Sequence, residues 1–168
     1  MSDTSGDAPA GPDLAAGFPV SSLNEGAMLL GHVSSEPVLV ARSHGSLYAI
    51  GATCTHYGGP LAEGILVGDT VRCPWHHACF SLKTGEPLRA PALDRVSCFR
   101  VEETDGRIFV REAINPPSAF LRSLASPPSS IVIIGAGAAG VAAAEMLRRC
   151  GYTDSIKLFD QLDTTPVD

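Results

Sequence analysis

Two short Cys/His pairs constrain this chain more than any other feature. Cys54-Thr55-His56 is followed, after sixteen residues, by Cys73-Pro74-Trp75-His76, so each of two loops offers one thiolate and one imidazole. A [2Fe–2S] cluster with mixed ligation needs that inventory, because two cysteines hold one iron and two histidines replace the cysteines on the other. The order of the residues matters as much as their identity. In Cys-x-His and in Cys-x-x-His the two side chains of a loop can turn to opposite ends of a small cluster, so each loop can serve both irons. A structural zinc ion uses the same residue types in tetrahedral geometry, but its usual spacing is a Cys pair followed by a His pair. Zinc, or residues with no metal at all, remain the alternatives at this point.

The flanking residues carry a resemblance. Cys54-Thr55-His56-Tyr57-Gly58-Gly59-Pro60-Leu61 and Cys73-Pro74-Trp75-His76-His77-Ala78-Cys79-Phe80-Ser81-Leu82-Lys83-Thr84-Gly85 resemble the two cluster-binding loops of Rieske ferredoxins, over about residues 18 to 112. The resemblance implies a mainly β, antiparallel Rieske-type domain with two cluster-binding loops. It also implies that Cys54 and Cys73 bind the inner iron and that His56 and His76 bind the outer, more exposed one. His77 stands where many relatives have glycine. If that position takes φ > 0, histidine tolerates it less well than glycine does, and a tolerated loop substitution is the expectation.

High-potential members of the family carry an extra cysteine in each loop, joined as a disulfide, and a serine and a tyrosine that donate to cluster and ligand sulfurs. The corresponding positions are Gly59, Trp75, Ala78 and Phe80, none of which can do so. Hydrogen bonds to sulfur stabilise the more negative reduced cluster. Their absence places the expected potential towards the lower end of the roughly −150 to +300 mV Rieske span. The expected partner is then a flavin reductase domain or another redox protein, not a respiratory quinol chain.

A formal charge of −6 argues against nucleic acid as the main partner. Cys79, Cys98 and Cys150 remain once the cluster has its two cysteines. An odd remainder without a regular framework points to a reducing, cytoplasmic compartment and to buried free thiols. No apolar run approaches the roughly 20 residues that span a bilayer, and the first seventeen residues contain Asp3, Asp7 and Asp13 without Lys or Arg, unlike a secretory or transit leader.

Residues 1–17 are small, polar and Pro/Gly-rich, and are expected to be a disordered tail. From Phe18 short apolar or alternating runs appear: 18–20, 28–33, 38–42, 47–50, 65–67, 70–72, 99–102 and 108–110. Turn signals separate them at His44-Gly45, Gly68-Asp69, Thr84-Gly85 and Asp105-Gly106, as in an antiparallel all-β domain. Pro91 resembles the proline-bearing loop that covers the cluster in this family, with a plain turn proline as the alternative. Trp75 suits either a docking face or core packing, and His32 and His44 are expected at the surface.

Residues 113–130 read as a Pro-rich linker, with Phe120, Leu121 and Leu124 at helical spacing inside it. A second motif follows at 131–168. The apolar run Ile131-Val132-Ile133-Ile134 leads into Gly135-Ala136-Gly137-Ala138-Ala139-Gly140, a helical stretch from Val141 to Cys150, and a strand from Ile156 to Phe159. Asp160 stands twenty residues after the last glycine, as a dinucleotide fingerprint requires. Gly135, Ala136, Gly137 and Gly140 would admit a pyrophosphate at the helix N-terminus and Asp160 would accept from a ribose. A Rieske domain joined to this motif resembles the apoptosis-inducing-factor-like Rieske flavoprotein oxidoreductases, which implies FAD and a path from NAD(P)H through flavin to the cluster.

The segment 131–168 supplies one β-α-β beginning of a doubly wound fold that needs two βαβαβ halves. The expectation is a truncated Rossmann start, so that FAD would belong only to a full-length protein and this chain alone would bind the cluster. The expected function is one-electron transfer through a low-potential cluster, as the N-terminal part of an FAD-dependent NAD(P)H oxidoreductase. The alternatives are a non-enzymatic metal-binding or redox-sensing module, and the Rieske ferredoxin component of an oxygenase system.

Overall fold

The computed structural model describes residues 11–116 and 128–161. The chain divides into two compact units, one ending at Pro116 and the other beginning at Pro117. The first unit contains β1 (Phe18–Pro19), β2 (Met28–Val33), β3 (Glu36–Ser43), β4 (Ser46–Gly51), β5 (Ile65–Val67), β6 (Thr70–Arg72), β7 (Cys79–Ser81), β8 (Pro87–Arg89), β9 (Cys98–Thr104) and β10 (Arg107–Ile114). These form a six-stranded sheet in the order β1-β10-β9-β4-β3-β2 and a four-stranded sheet in the order β5-β6-β7-β8. Every pairing in both sheets is antiparallel.

The tight turns follow from local chemistry. Ser34, His44 and Asp105 take φ of 51° to 55° at hairpin tips, His44 and Asp105 each followed by a glycine of positive φ, the backbone that short hairpins require. The centre of β3 shows why the large sheet is covered on both sides. Val38, Leu39, Val40 and Ala41 are each fully buried. Successive side chains on a strand point to opposite faces, so Leu39 and Ala41 enter one core with Ile50, Val71 and Phe80, and Val38 and Val40 enter another with Phe18, Phe99, Ile108 and Val110. The first core joins the two sheets and contains Cys54 and Cys73.

The expected disordered tail is corrected from residue 11 onward. Leu14 is fully buried in the second core, its N–H donates to the His32 carbonyl at 2.9 Å, and its carbonyl accepts from the Val110 N–H at 3.0 Å. A single leucine among prolines and glycines has no periodicity to reveal it, yet it fills a hole that the sheet leaves open. Residues 1–10 lie outside the described residues. At the other end, Ala113 and Ile114 continue β10 and do not belong to a linker. The expectation for Phe120, Leu121 and Leu124 also falls outside the described residues.

The second unit contains β11 (Ser130–Ile134), α1 (Ala138–Arg149) and β12 (Ser155–Phe159), with β11 and β12 paired in parallel. The helix begins three residues before the expected start, with Gly137 as its N-cap. Arg148 and Arg149 occupy its last turn, where cations oppose the negative end of the helix dipole. Gly151 then ends it at φ 83°. Its N–H donates to the Arg148 carbonyl at 3.0 Å.

Candidate metal centre

The two Cys/His loops are built on the same backbone plan, although they leave different sheets. The first runs from the end of β4 towards β5, and the second joins β6 to β7. In the first, the Cys54 N–H donates to the Gly59 carbonyl at 2.8 Å and the Gly58 N–H to the Cys54 carbonyl at 2.9 Å. In the second, the Cys73 N–H donates to the Ala78 carbonyl at 2.9 Å and the His77 N–H to the Cys73 carbonyl at 3.1 Å. The residue four positions after each cysteine must then take positive φ: Gly58 at 75° and His77 at 59°. The conditional reading of His77 is therefore met, and the ring it presents is exposed.

This plan sorts the four side chains by depth. Cys54 and Cys73 are 3% and 2% exposed, in the core between the sheets. His56 is half-buried and His76 exposed, with ring centroids 5.0 Å apart and nearly perpendicular planes. The donors therefore form an inner thiol pair and an outer imidazole pair. Among the described residues, no three His, Cys, Asp or Glu side chains are gathered as a single metal ion requires.

One buried polar atom of the first loop has no partner among the described residues. His56 Nδ1 is buried without a hydrogen-bond partner in the structure, a costly state for an imidazole nitrogen unless something else engages it. Burial pushes the Cys54 thiol pKa up, the backbone N–H groups of His56 and Tyr57 pull it down, and the neighbouring Cys73 raises it again. A metal needs the thiolate and therefore reverses this balance. The same two N–H groups favour a sulfur that carries negative charge. Space is tight behind the thiols: a Cβ at Gly59 would lie 2.7 Å from Cys73 Sγ and 3.3 Å from the Trp75 ring. The residues present fit a [2Fe–2S] cluster.

Around the histidines the surface is aromatic. Tyr57 is 71% exposed and its ring centroid is 4.2 Å from that of His56. Trp75 is 54% exposed, which removes core packing as its role. Ala92, next to Pro91, is buried in the same core as the two cysteines. Of the remaining histidines, His44 is exposed as expected, but His32 is half-buried and its Nδ1 is enclosed without a partner. All five cysteines are free, with Cys79 and Cys98 buried.

In the second unit the glycine pattern has separable reasons. Gly135 takes φ 100°. A Cβ at Gly137 would meet open space, whereas one at Gly140 would strike the Gly135 carbonyl at 1.9 Å. The turn and the close helix packing need the outer glycines, and the middle one leaves the backbone open to approach. Asp160 Oδ2 accepts from the Ala136 N–H at 3.1 Å and Oδ1 from the Gln161 N–H at 2.6 Å. Each carboxylate oxygen has a lone-pair site left for a ligand hydroxyl.

Comparison with known proteins agrees with this site. The family model described as the Rieske [2Fe-2S] domain matches residues 15–100. Apoptosis-inducing factor 3 of Homo sapiens is 34% identical over 155 residues, which is 83% of this chain and 25% of that protein. The chain thus spans about a quarter of that relative's length. The 3-phenylpropionate/cinnamic acid dioxygenase ferredoxin subunit of Shigella flexneri serotype 5b is 39% identical over 94 residues, 55% of this chain and 87% of that one. Among solved structures, one described as a complex of reduced oxygenase and oxidized ferredoxin in carbazole 1,9a-dioxygenase matches with TM-score 0.52 and 33% identity. That match covers 55% of this chain and 86% of the matched one. With two matched cysteine–histidine loops on an antiparallel scaffold and a family match over half its length, the chain belongs to the Rieske [2Fe–2S] domain family, whose cluster transfers electrons.

Proposed function

We propose that Cys54 and Cys73 hold the inner iron, that His56 and His76 hold the outer one, and that single electrons pass through the histidine-lined tip to a redox partner. The observation that carries this is the buried, partnerless His56 Nδ1 beside the His76 ring, above a buried thiol pair. The bound cluster supplies one-electron redox chemistry; the protein sets its potential and access. The core around Cys54 and Cys73 excludes water from the inner side, and the backbone N–H groups of His56 and Tyr57 pull the Cys54 pKa down. Exposed Tyr57 and Trp75 give a partner an aromatic rim to meet. Without side-chain hydroxyl donors at Ala78 and Phe80, the potential belongs at the low end of the family range.

The reading extends to the N-terminal part of an FAD-dependent NAD(P)H oxidoreductase, with a flavin domain as donor. Its support is the similarity to Apoptosis-inducing factor 3, which runs over 83% of the chain, and the geometry of Gly135, Ala136, Gly137, Gly140 and Asp160. A second reading, a ferredoxin component serving an oxygenase, draws on the ferredoxin likenesses, which cover 55% of the chain. Cys79, Cys98 and Cys150, none of them in a disulfide, suit a reducing compartment such as the cytoplasm. Among the described residues no helix is long and apolar enough to cross a membrane.

Iron and acid-labile sulfide assays on single variants test the ligand assignment. Cys54→Ser, Cys73→Ser, His56→Ala and His76→Ala are each expected to lose most of both, while His77→Ala keeps the wild-type content. Full iron and sulfide in any of the first four would overturn that assignment.

A further inference from the structure

Arg95 joins two parts of the first unit that are far apart in sequence. Its Nη1 donates to Asn115 Oδ1 at 2.5 Å and to the Pro116 carbonyl at 3.4 Å. Its Nη2 lies 3.2 Å from Glu86 Oε1. Glu86 is 5% exposed, and its second oxygen accepts from Thr84 Oγ1 at 3.2 Å. A carboxylate this buried keeps its charge only beside a cation, so Glu86 is a fixed anchor for one edge of the guanidinium. The guanidinium is a planar, rigid fork. With one edge held by Glu86, the other sets where Asn115 and Pro116 lie as the chain leaves β10.

The residues on either side of Arg95 reach the centre. The Asp94 carbonyl accepts from Thr55 Oγ1 at 2.7 Å, and Thr55 stands between Cys54 and His56. The Val96 N–H donates to the Gly85 carbonyl at 2.9 Å, and its side chain is buried in the core that holds Cys54 and Cys73. Three consecutive residues thus touch the first Cys/His loop, a buried carboxylate, the exit of the chain and the thiol core.

We infer that Arg95 is a positioning residue that couples the chain's exit at Asn115-Pro116 to the first cluster loop. The inference rests on the cluster assignment above. A displaced exit segment pulls on the guanidinium, the Asp94 carbonyl moves with it, and Thr55 follows. Thr55 lies between Cys54 and His56, two of the proposed ligands, so its movement reaches both. The groups around a cluster's ligands tune its potential, so movement at Asn115 is read out at the metal.

The test uses the full chain loaded with its cluster, with Asn115→Ala, Arg95→Gln and the double variant compared with wild type. Reduction potential, EPR g values and thermal unfolding are measured on each. The expected result is that Asn115→Ala shifts the potential and the g values beyond the spread of repeat titrations, in the direction of Arg95→Gln. The double variant then shows no shift beyond that of Arg95→Gln alone. If Arg95→Gln does not load, Arg95→Lys takes its place, because it keeps a cation beside Glu86 without the second edge of the fork. Wild-type potential and g values in Asn115→Ala, whatever its melting temperature, would overturn the coupling, as would fully additive shifts. A wild-type chain without a mixed-ligand cluster signal would remove the cluster assignment instead, and the coupling with it.

Discussion

A histidine at φ 59° is an uneasy occupant of a turn whose counterpart in the other loop is Gly58. The left-handed region costs an L-residue roughly 1–2 kcal/mol, and glycine avoids most of that. His77→Gly is therefore expected to raise stability by about 1 kcal/mol in denaturant melts and to leave iron content unchanged; a loss of iron would give His77 a role at the centre. Gly59 behaves in the opposite way. A methyl group there meets Cys73 Sγ at 2.7 Å, so Gly59→Ala is expected to halve cluster occupancy or worse, measured as iron per chain. Unchanged occupancy would mean that the thiol pair can shift. The four proposed donors stand out in the sequence because few residue types can hold iron and their order is unusual. The shared hydrogen-bond closure of the two loops was not legible, because only the backbone carries it.

Elements were readable where apolar residues recur and obscure where they do not. The runs at 28–33 and 38–42 appear as β2 and β3, since each face of the strand has a core to fill. The three-residue strands Cys79–Ser81 and Pro87–Arg89 were missed. The first sits inside a cluster motif and the second opens on proline, which usually argues against a strand except at an edge. β8 is such an edge. Leu14 makes the same point for the segment before β1. Removing a fully buried leucine costs about 2–5 kcal/mol, so Leu14→Ala is expected to destabilise the chain by that amount in urea, with the cluster spectrum retained. A change below about 0.5 kcal/mol, the range of an ordinary surface substitution, would return residues 11–17 to the status of a tail.

At the scale of the whole molecule, the first unit closes its cores and, among the described residues, the second leaves a sheet face open. Val132, Ile134 and Phe159 are 57%, 89% and 56% exposed on the parallel pair, whereas parallel sheets are normally covered on both faces. Among the described residues of that unit, β11 and β12 are the strands, fewer than a doubly wound nucleotide site uses. The purified chain is therefore expected to carry less than stoichiometric FAD, read from flavin fluorescence after denaturation, and one flavin per chain would refute that. The glycine pattern was legible because Gly135 needs positive φ and Gly140 leaves no room for a side chain; the partner that completes the electron path leaves no such mark on this sequence. The central claim, a mixed-ligand cluster at Cys54, His56, Cys73 and His76, is tested most directly by EPR of the anaerobically purified chain after dithionite reduction, with iron, sulfide and zinc measured on the same sample. A rhombic signal whose average g lies well below that of an all-cysteine cluster, with two irons and two sulfides per chain, is the expected result. A colourless, EPR-silent protein carrying zinc would contradict it.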